Sequence, residues 1–85
     1  MTKGEYRVGI NFNPSDDDMV GQIKRKAADL IDLIGTIPSH GTQDTNTAGE
    51  FSEVSRLKAL AQTEIESAAM WAVKAATKPA LEGTK

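Results

Sequence analysis

The residues of this chain with the means to hold a ligand are the cations of IKRKA and the apolar residues of EYRVGINFN that precede them. On a helical wheel at about 100° per residue, Arg25 points almost directly away from the apolar seam, and Lys24 and Lys26 flank it on opposite sides. Their aliphatic stems can lie along apolar surface with the amines at its edge. One reading of these lysines is ordinary flanking charge, paired with Asp29 or Asp32. The other is that, in an oligomer, one flank of each helix lines a groove between subunits and offers ammonium groups to a phosphate. Arg7 and Arg56 are further candidates for such a contact. Tyr6, Val8, Ile10 and Phe12 alternate along the preceding segment. Tyr6 and Phe12 are therefore the apolar face of an arm that packs over a neighbour, or a stacking surface. Aromatics on an arm beside lysines are the two ingredients of nucleotide capture, and both readings stay open.

Other chemistries find less support. The chain offers no nucleophile with a base, no paired carboxylates in an apolar setting and no glycine-rich phosphate loop, so no enzyme and no cofactor are expected. His40 is the one histidine, and a zinc site around it would lack its second and third ligands. Asp16, Asp17 and Asp18 resemble a calcium cluster but lack the alternating ligands, glycine and terminal glutamate of an EF-hand loop. Acidic residues in a first helical turn, where the helix dipole favours carboxylates, are the better account. There are no cysteines, which removes disulfides and thiolate metal sites and fits a reducing compartment. With 10 basic and 12 acidic side chains the formal charge is -2. That argues against a long nucleic acid, which needs a strongly basic face, but is compatible with a small anion. The start, MTKGEYRVGI, has no apolar core of signal-peptide length, and no run approaches the ~20 apolar residues of a membrane span. A cytoplasmic protein without a membrane partner is the expectation.

The elements that must position these residues follow from periodicity and breakers. Residues 1–14 are expected to form an extended arm, ended by Pro14, and residues 15–37 a first helix with Ser15 as its N-cap. Its seam is Val20, Ile23, Ala27, Leu30, Ile34 and Ile37, with Ile31 and Leu33 widening the apolar surface. Gly35 is the natural C-cap residue and Pro38 prevents continuation. Residues 38–48 form a polar loop, residues 49–78 a second helix and residues 79–85 a tail. The second seam is Val54, Leu57, Ala61, Ile65, Ala68, Ala72 and Ala75. In SAAMWAVKAATKP, by contrast, apolar residues cover every direction of the helix. A two-helix hairpin buries one stripe of each helix, so Met70, Trp71 and Val73 need other chains. One domain of 85 residues without disulfides also needs extra burial. The fold expected is all-α: an antiparallel two-helix hairpin with a short extended N-terminal arm, assembled into a compact homo-oligomeric helical bundle.

The run FNPSDDDMVGQIKRKAADLIDLIG, followed by a polar loop and RLKALAQTEIESAAMWAVKAATKP, resembles the small helical-hairpin proteins of phages and prophages that counter bacterial CBASS immunity. The same hairpin occurs in sponges directed against Thoeris immunity. The FNPS turn with its following IKR and the AAMWAVKA ending with its closing KP are the specific parts of the likeness. The resemblance implies a protein that binds cyclic oligonucleotide second messengers and sequesters them without cleavage, so that effectors stay unloaded. It also implies a homo-oligomer, typically a hexamer, with cyclic dinucleotide pockets between protomers and, in some members, separate cyclic trinucleotide pockets. Carried onto this chain, Phe12 or Tyr6 would stack on a base and Lys24 or Lys26 would meet a phosphate. Asn13 to Ser15 would add backbone and hydroxyl contacts. A different class of function stays beside this one: a small helical interaction module whose apolar helix docks in a groove of a host protein.

Overall fold

The computed structural model describes residues 1–14, 16–39 and 48–79, with side chains of the last segment described from residue 53 onward. Three helices make up the described fold: α1 (Lys3–Val8), α2 (Asp18–Gly35) and α3 (Ala48–Thr77). No strand occurs among the described residues.

The expected extended arm is instead a helix across Lys3–Val8. Its cause is local and was present in the sequence as TKGE. The Thr2 hydroxyl accepts the Glu5 N–H at 3.1 Å, and the Thr2 N–H donates to Glu5 Oε1 at 2.8 Å. This is a capping box, which satisfies two N-terminal donors reciprocally and here outweighs the alternation of Tyr6, Val8, Ile10 and Phe12. Gly9 then ends α1 in the left-handed region at φ 64° and ψ 57°, a conformation that costs glycine nothing.

The N-cap of α2 is Asp17, not Ser15, which lies outside the described residues. Asp17 Oδ1 accepts the Met19 N–H at 2.9 Å, and Asp18 occupies the first turn. Asn13 braces this entry from upstream, its Oδ1 accepting the Asp17 N–H at 3.1 Å and its Nδ2 donating to the Asp17 carbonyl at 2.8 Å.

Cross-helix contacts fix the register of α2 against α3. Lys58 Nζ reaches the carbonyls of Gly35 and Ile37, at 3.1 and 2.6 Å, and Gln62 Nε2 reaches that of Ile31 at 2.9 Å. Val73 lies opposite Val20 and Lys24. Numbers rise on one helix as they fall on the other, so the pair is an antiparallel hairpin.

The buried line of α2 runs through Val20, Lys24, Ala28 and Ile31. It is displaced from the expected seam, since Leu30 and Ile37 are exposed and Ile31 is completely buried. On α3 the fully buried positions are Gln62 and Ala69, while Leu57, Ala68 and Ala75 of the expected seam are exposed. The displacement on α2 has a physical reason: α2 is covered from two sides. Besides α3 it carries α1, whose Gly4 sits so close to Ala28 that a Cβ there would come within 2.1 Å of the Ala28 carbonyl oxygen. The buried direction of α2 therefore points between its two partners. Polar anchors hold α1 in place: the Gly4 N–H donates to Asp32 Oδ1 at 2.7 Å, Lys3 Nζ to Gln62 Oε1 at 2.8 Å, and Arg25 Nη1 to Glu5 Oε2 at 2.8 Å.

Candidate functional site

The turn from α1 into α2 brings the chemistry together. Gly9 reverses the chain, and the Phe12 N–H closes back onto the Gly9 carbonyl at 2.9 Å. The Asn13 side chain ties the next residues to the start of α2, so Phe12 is presented from a turn anchored at both ends. Behind it lies Lys24, only 7% exposed although it is a lysine. Burying an ammonium is costly unless hydrogen bonds replace its water. Here they do: Lys24 Nζ donates to the Gly9 carbonyl at 3.0 Å and also to the Phe12 carbonyl. The same nitrogen stands 5.3 Å from the centroid of the Phe12 ring, within reach of a cation–π contact. Phe12 as a whole is 71% exposed.

The last turns of α3 supply the opposite wall. Phe12, Asn13, Pro14, Val20, Lys24, Val73 and Thr77 enclose an open groove of about 430 Å³. A smaller recess of about 190 Å³ lies alongside, between α1 and α3, and shares Lys24 and Val73 with the groove. The groove combines apolar walls, an exposed aromatic rim and one positive charge at its base. Among the described residues its lining holds neither a carboxylate nor an imidazole. Thr77 Oγ1 donates to the Val73 carbonyl at 2.8 Å, which leaves its lone pairs to accept. This set of groups is suited to holding a flat, negatively charged molecule.

Of the expected ligand residues, the structure brings Phe12, Asn13 and Lys24 into one place. Lys24 is not at the edge of the seam, where the wheel put it, but inside the buried line, because α1 and its turn cover that flank. Tyr6 stands exposed on α1, outside the groove lining. Arg7 turns across to α3, where it pairs with Glu66 and donates to Thr63 Oγ1 at 3.3 Å. Lys26 is exposed, and neither Asp29 nor Asp32 is its partner. Asp29 takes the Arg25 guanidinium at 2.8 Å and Asp32 the Gly4 N–H. Arg56 pairs with Glu53 at 2.7 Å on α3, some seventeen residues before Val73, or roughly 25 Å along the helix. Val73, expected at a subunit interface, is half-buried in the groove wall, while Met70 and Trp71 are exposed on this single chain. Pro14 belongs to the expected contact turn Asn13 to Ser15, whereas Val20 and Thr77 were not anticipated as site residues. Thr77 could have been found from the hairpin register, since an antiparallel partner of Val20 has to come from the last turns of α3.

Shifted ionisations accompany the salt bridges outside the groove. Hydrogen bonds from the Thr2 backbone and then from the Arg25 guanidinium hold the Glu5 carboxyl below its ordinary value. Arg25 is pushed up by its hydrogen bonds to Glu5 and then Asp29. On α3, the bond from Arg56 lowers the Glu53 carboxyl, and Arg56 is raised in return.

A family model described as the Acb2/Tad1 hairpin domain matches residues 4–77, from Gly4 at the α1–α2 crossing to Thr77 in the groove. Comparison with curated proteins gave no match, and comparison with solved structures gave none either. No described helix is long and apolar enough to cross a membrane.

Proposed function

Because this chain belongs to the Acb2/Tad1 hairpin-domain family of phage anti-CBASS and anti-Thoeris sponge proteins, we propose that it sequesters cyclic oligonucleotide second messengers without cleaving them. The ligands of this reading are cyclic dinucleotides such as cGAMP, with cyclic trinucleotides as a second class. The setting is the cytoplasm of the infected bacterium, where withholding the messenger leaves CBASS effectors inactive. The observation that carries the reading at the level of residues is the Phe12 ring. It stands exposed at the rim of a groove whose base holds the positive charge of Lys24. A base stacks on the ring and the phosphates lie toward the cation. Of the two aromatic candidates Phe12 is thereby preferred to Tyr6, and of the two lysines Lys24 is preferred to Lys26.

The protein acts as a homo-oligomer, a hexamer in this reading, with the groove completed by a second copy. Its support is the apolar surface left uncovered on one chain, including Trp71, Met70, Leu57 and Leu60. A cyclic dinucleotide has approximate two-fold symmetry, so two copies can present the same ring and the same charge to each half. Heating the protein with a panel of cyclic dinucleotides tests binding, since a ligand that binds only the folded state raises the melting temperature. Chromatography after incubation and denaturation should return the nucleotide intact. Linear product in proportion to protein would make the protein an enzyme. A complete absence of stabilisation, together with capture of one host protein, would favour the interaction-module reading.

A further inference from the structure

We propose that the recess where the start of α1 meets the end of α2 and the middle of α3 is a second anion site, which takes inorganic phosphate or a phosphate monoester as the dianion through the ammonium groups of Lys3 and Lys58. The recess has a volume of about 360 Å³ and is lined, among the described residues, by Lys3, Gly35, Ser55, Lys58, Ala59 and Gln62, none of them a carboxylate. It shares no lining residue with the groove at Phe12, and the inference does not rest on the nucleotide reading. Its polar wall is Gln62, only 3% exposed, whose side chain ties the two lysines to one place. Gln62 Oε1 accepts from Lys3 Nζ at 2.8 Å, and its Nε2 lies 3.4 Å from where a Cβ on Gly35 would stand. The Gly35 carbonyl accepts in turn from Lys58 Nζ at 3.1 Å.

Both lysines keep donors to give. An ammonium has three N–H groups and no acceptor. Among the described residues, Lys3 spends one on Gln62, and Lys58 spends two, on the Gly35 and Ile37 carbonyls. Neither ammonium forms an ion pair among the described residues, so both charges are uncompensated. Asp32, which takes the Gly4 N–H, lies outside the lining. The carbonyl end of a helix by itself repels an anion, but here Lys58 takes up two carbonyls at the end of α2. Two positive charges match a dianion. A phosphodiester carries one negative charge, and the groove at Phe12 offers one lysine. A phosphate monoester carries nearly two negative charges at neutral pH.

Nitrogen-15 spectra of the wild-type protein, recorded while an anion is added at constant ionic strength, test this. Inorganic phosphate or methyl phosphate should shift the Gln62 side-chain amide and the Ser55 and Ala59 backbone signals to saturation, while Gly9 and Phe12 stay unmoved. Whichever of the two binds more tightly names the source, free phosphate or the phosphate end of a larger molecule. Dimethyl phosphate, a monoanionic diester, and sodium chloride should give no saturable shift. Equal responses to all four would reduce the site to charge screening, and dimethyl phosphate binding as well as methyl phosphate would overturn the match to a dianion. Shifts at Phe12 in place of Gln62 would put the anion in the groove and sink the proposal. Affinity for methyl phosphate should rise as pH is raised through about 6, where its second proton leaves, and a flat profile counts against the site. Lys3→Met, at an exposed position, and Lys58→Met should each weaken binding by about 10- to 150-fold, the loss of one charged hydrogen bond, with helix content as in wild type by circular dichroism. Full affinity in Lys3→Met would overturn the site even if Lys58→Met failed to fold.

Discussion

At the scale of single residues, the groove separates two aromatics that look alike in sequence. Phe12 lines it and Tyr6 does not, although both are exposed. Phe12→Ala should cost about 1–3 kcal/mol of nucleotide binding per stacked base, and Tyr6→Ala much less, as read by calorimetry on assemblies of unchanged size. Equal losses for the two would place the pocket elsewhere. The types of the candidate residues were legible in the sequence, an aromatic and a lysine near the FNPS turn, and the structure brings Phe12 and Lys24 together in one groove. Their ranking was not legible. Whether Lys24 or Lys26 faces the turn depends on which flank of α2 is covered, and that depends on α1, whose helical state was misread. Arg7 and Arg56 lie outside the groove lining for a simpler reason. Their guanidinium groups found carboxylates within reach, Glu66 and Glu53, and residue type alone does not reveal a partner.

At the scale of elements, α1 is the piece that the apolar pattern concealed. A six-residue helix has too few turns to show a period, and its signal lies in the capping box at Thr2 and Glu5 and in Gly9 after its end. The hairpin of α2 and α3 was legible because Pro38 and Pro79 set strong boundaries for long helices, although the cap of α2 is Thr36 in right-handed geometry and not Gly35, which is its last helical residue. Their buried lines were displaced because a seam drawn for one partner cannot anticipate a third element. Two expectations belong here. Gly4→Ala would drive a methyl group into the Ala28 carbonyl, so α1 must lift, at a cost of about 1–3 kcal/mol in a denaturant titration. Acid should loosen α1 as well. The folded-state carboxyl of Glu5 titrates below its unfolded value, so its stabilising contribution is present above the ordinary carboxylate pKa and is lost as pH falls through the lower folded one. Glu5→Gln should flatten that part of the curve of melting temperature against pH, and a slope equal to that of wild type would show that the Thr2 and Arg25 bonds contribute nothing.

At the scale of the molecule, the described residues bury few large side chains within one chain. Among them Val20, Ala28, Ile31 and Ala69 form the buried apolar set, and of these only Ile31 is large. Trp71 remains 65% exposed, with Lys74 Nζ 5.5 Å from its ring. An assembly in which a second copy covers this stretch predicts that Trp71→Ala costs about 3–5 kcal/mol and shifts light scattering toward smaller species. A wild-type monomer at micromolar concentration would refute it. The excess of apolar residues in SAAMWAVKAATKP was visible in the sequence, whereas the turn of Val73 into the groove required the register of the hairpin.

The dependence of α1 on its neighbours also has a consequence for the order of events in folding. A helix of six residues does not persist in water by itself. The lysine that closes its end comes from α2, and its side-chain partners come from α2 and α3. It is therefore expected to form on a hairpin already in place, late in folding. Substitutions in α1 should leave the refolding rate nearly untouched and appear almost wholly as faster unfolding, with φ-values near zero for Gly4→Ala. Stopped-flow refolding of that variant, if it proved as slow as its equilibrium destabilisation demands, would instead put α1 in the nucleus.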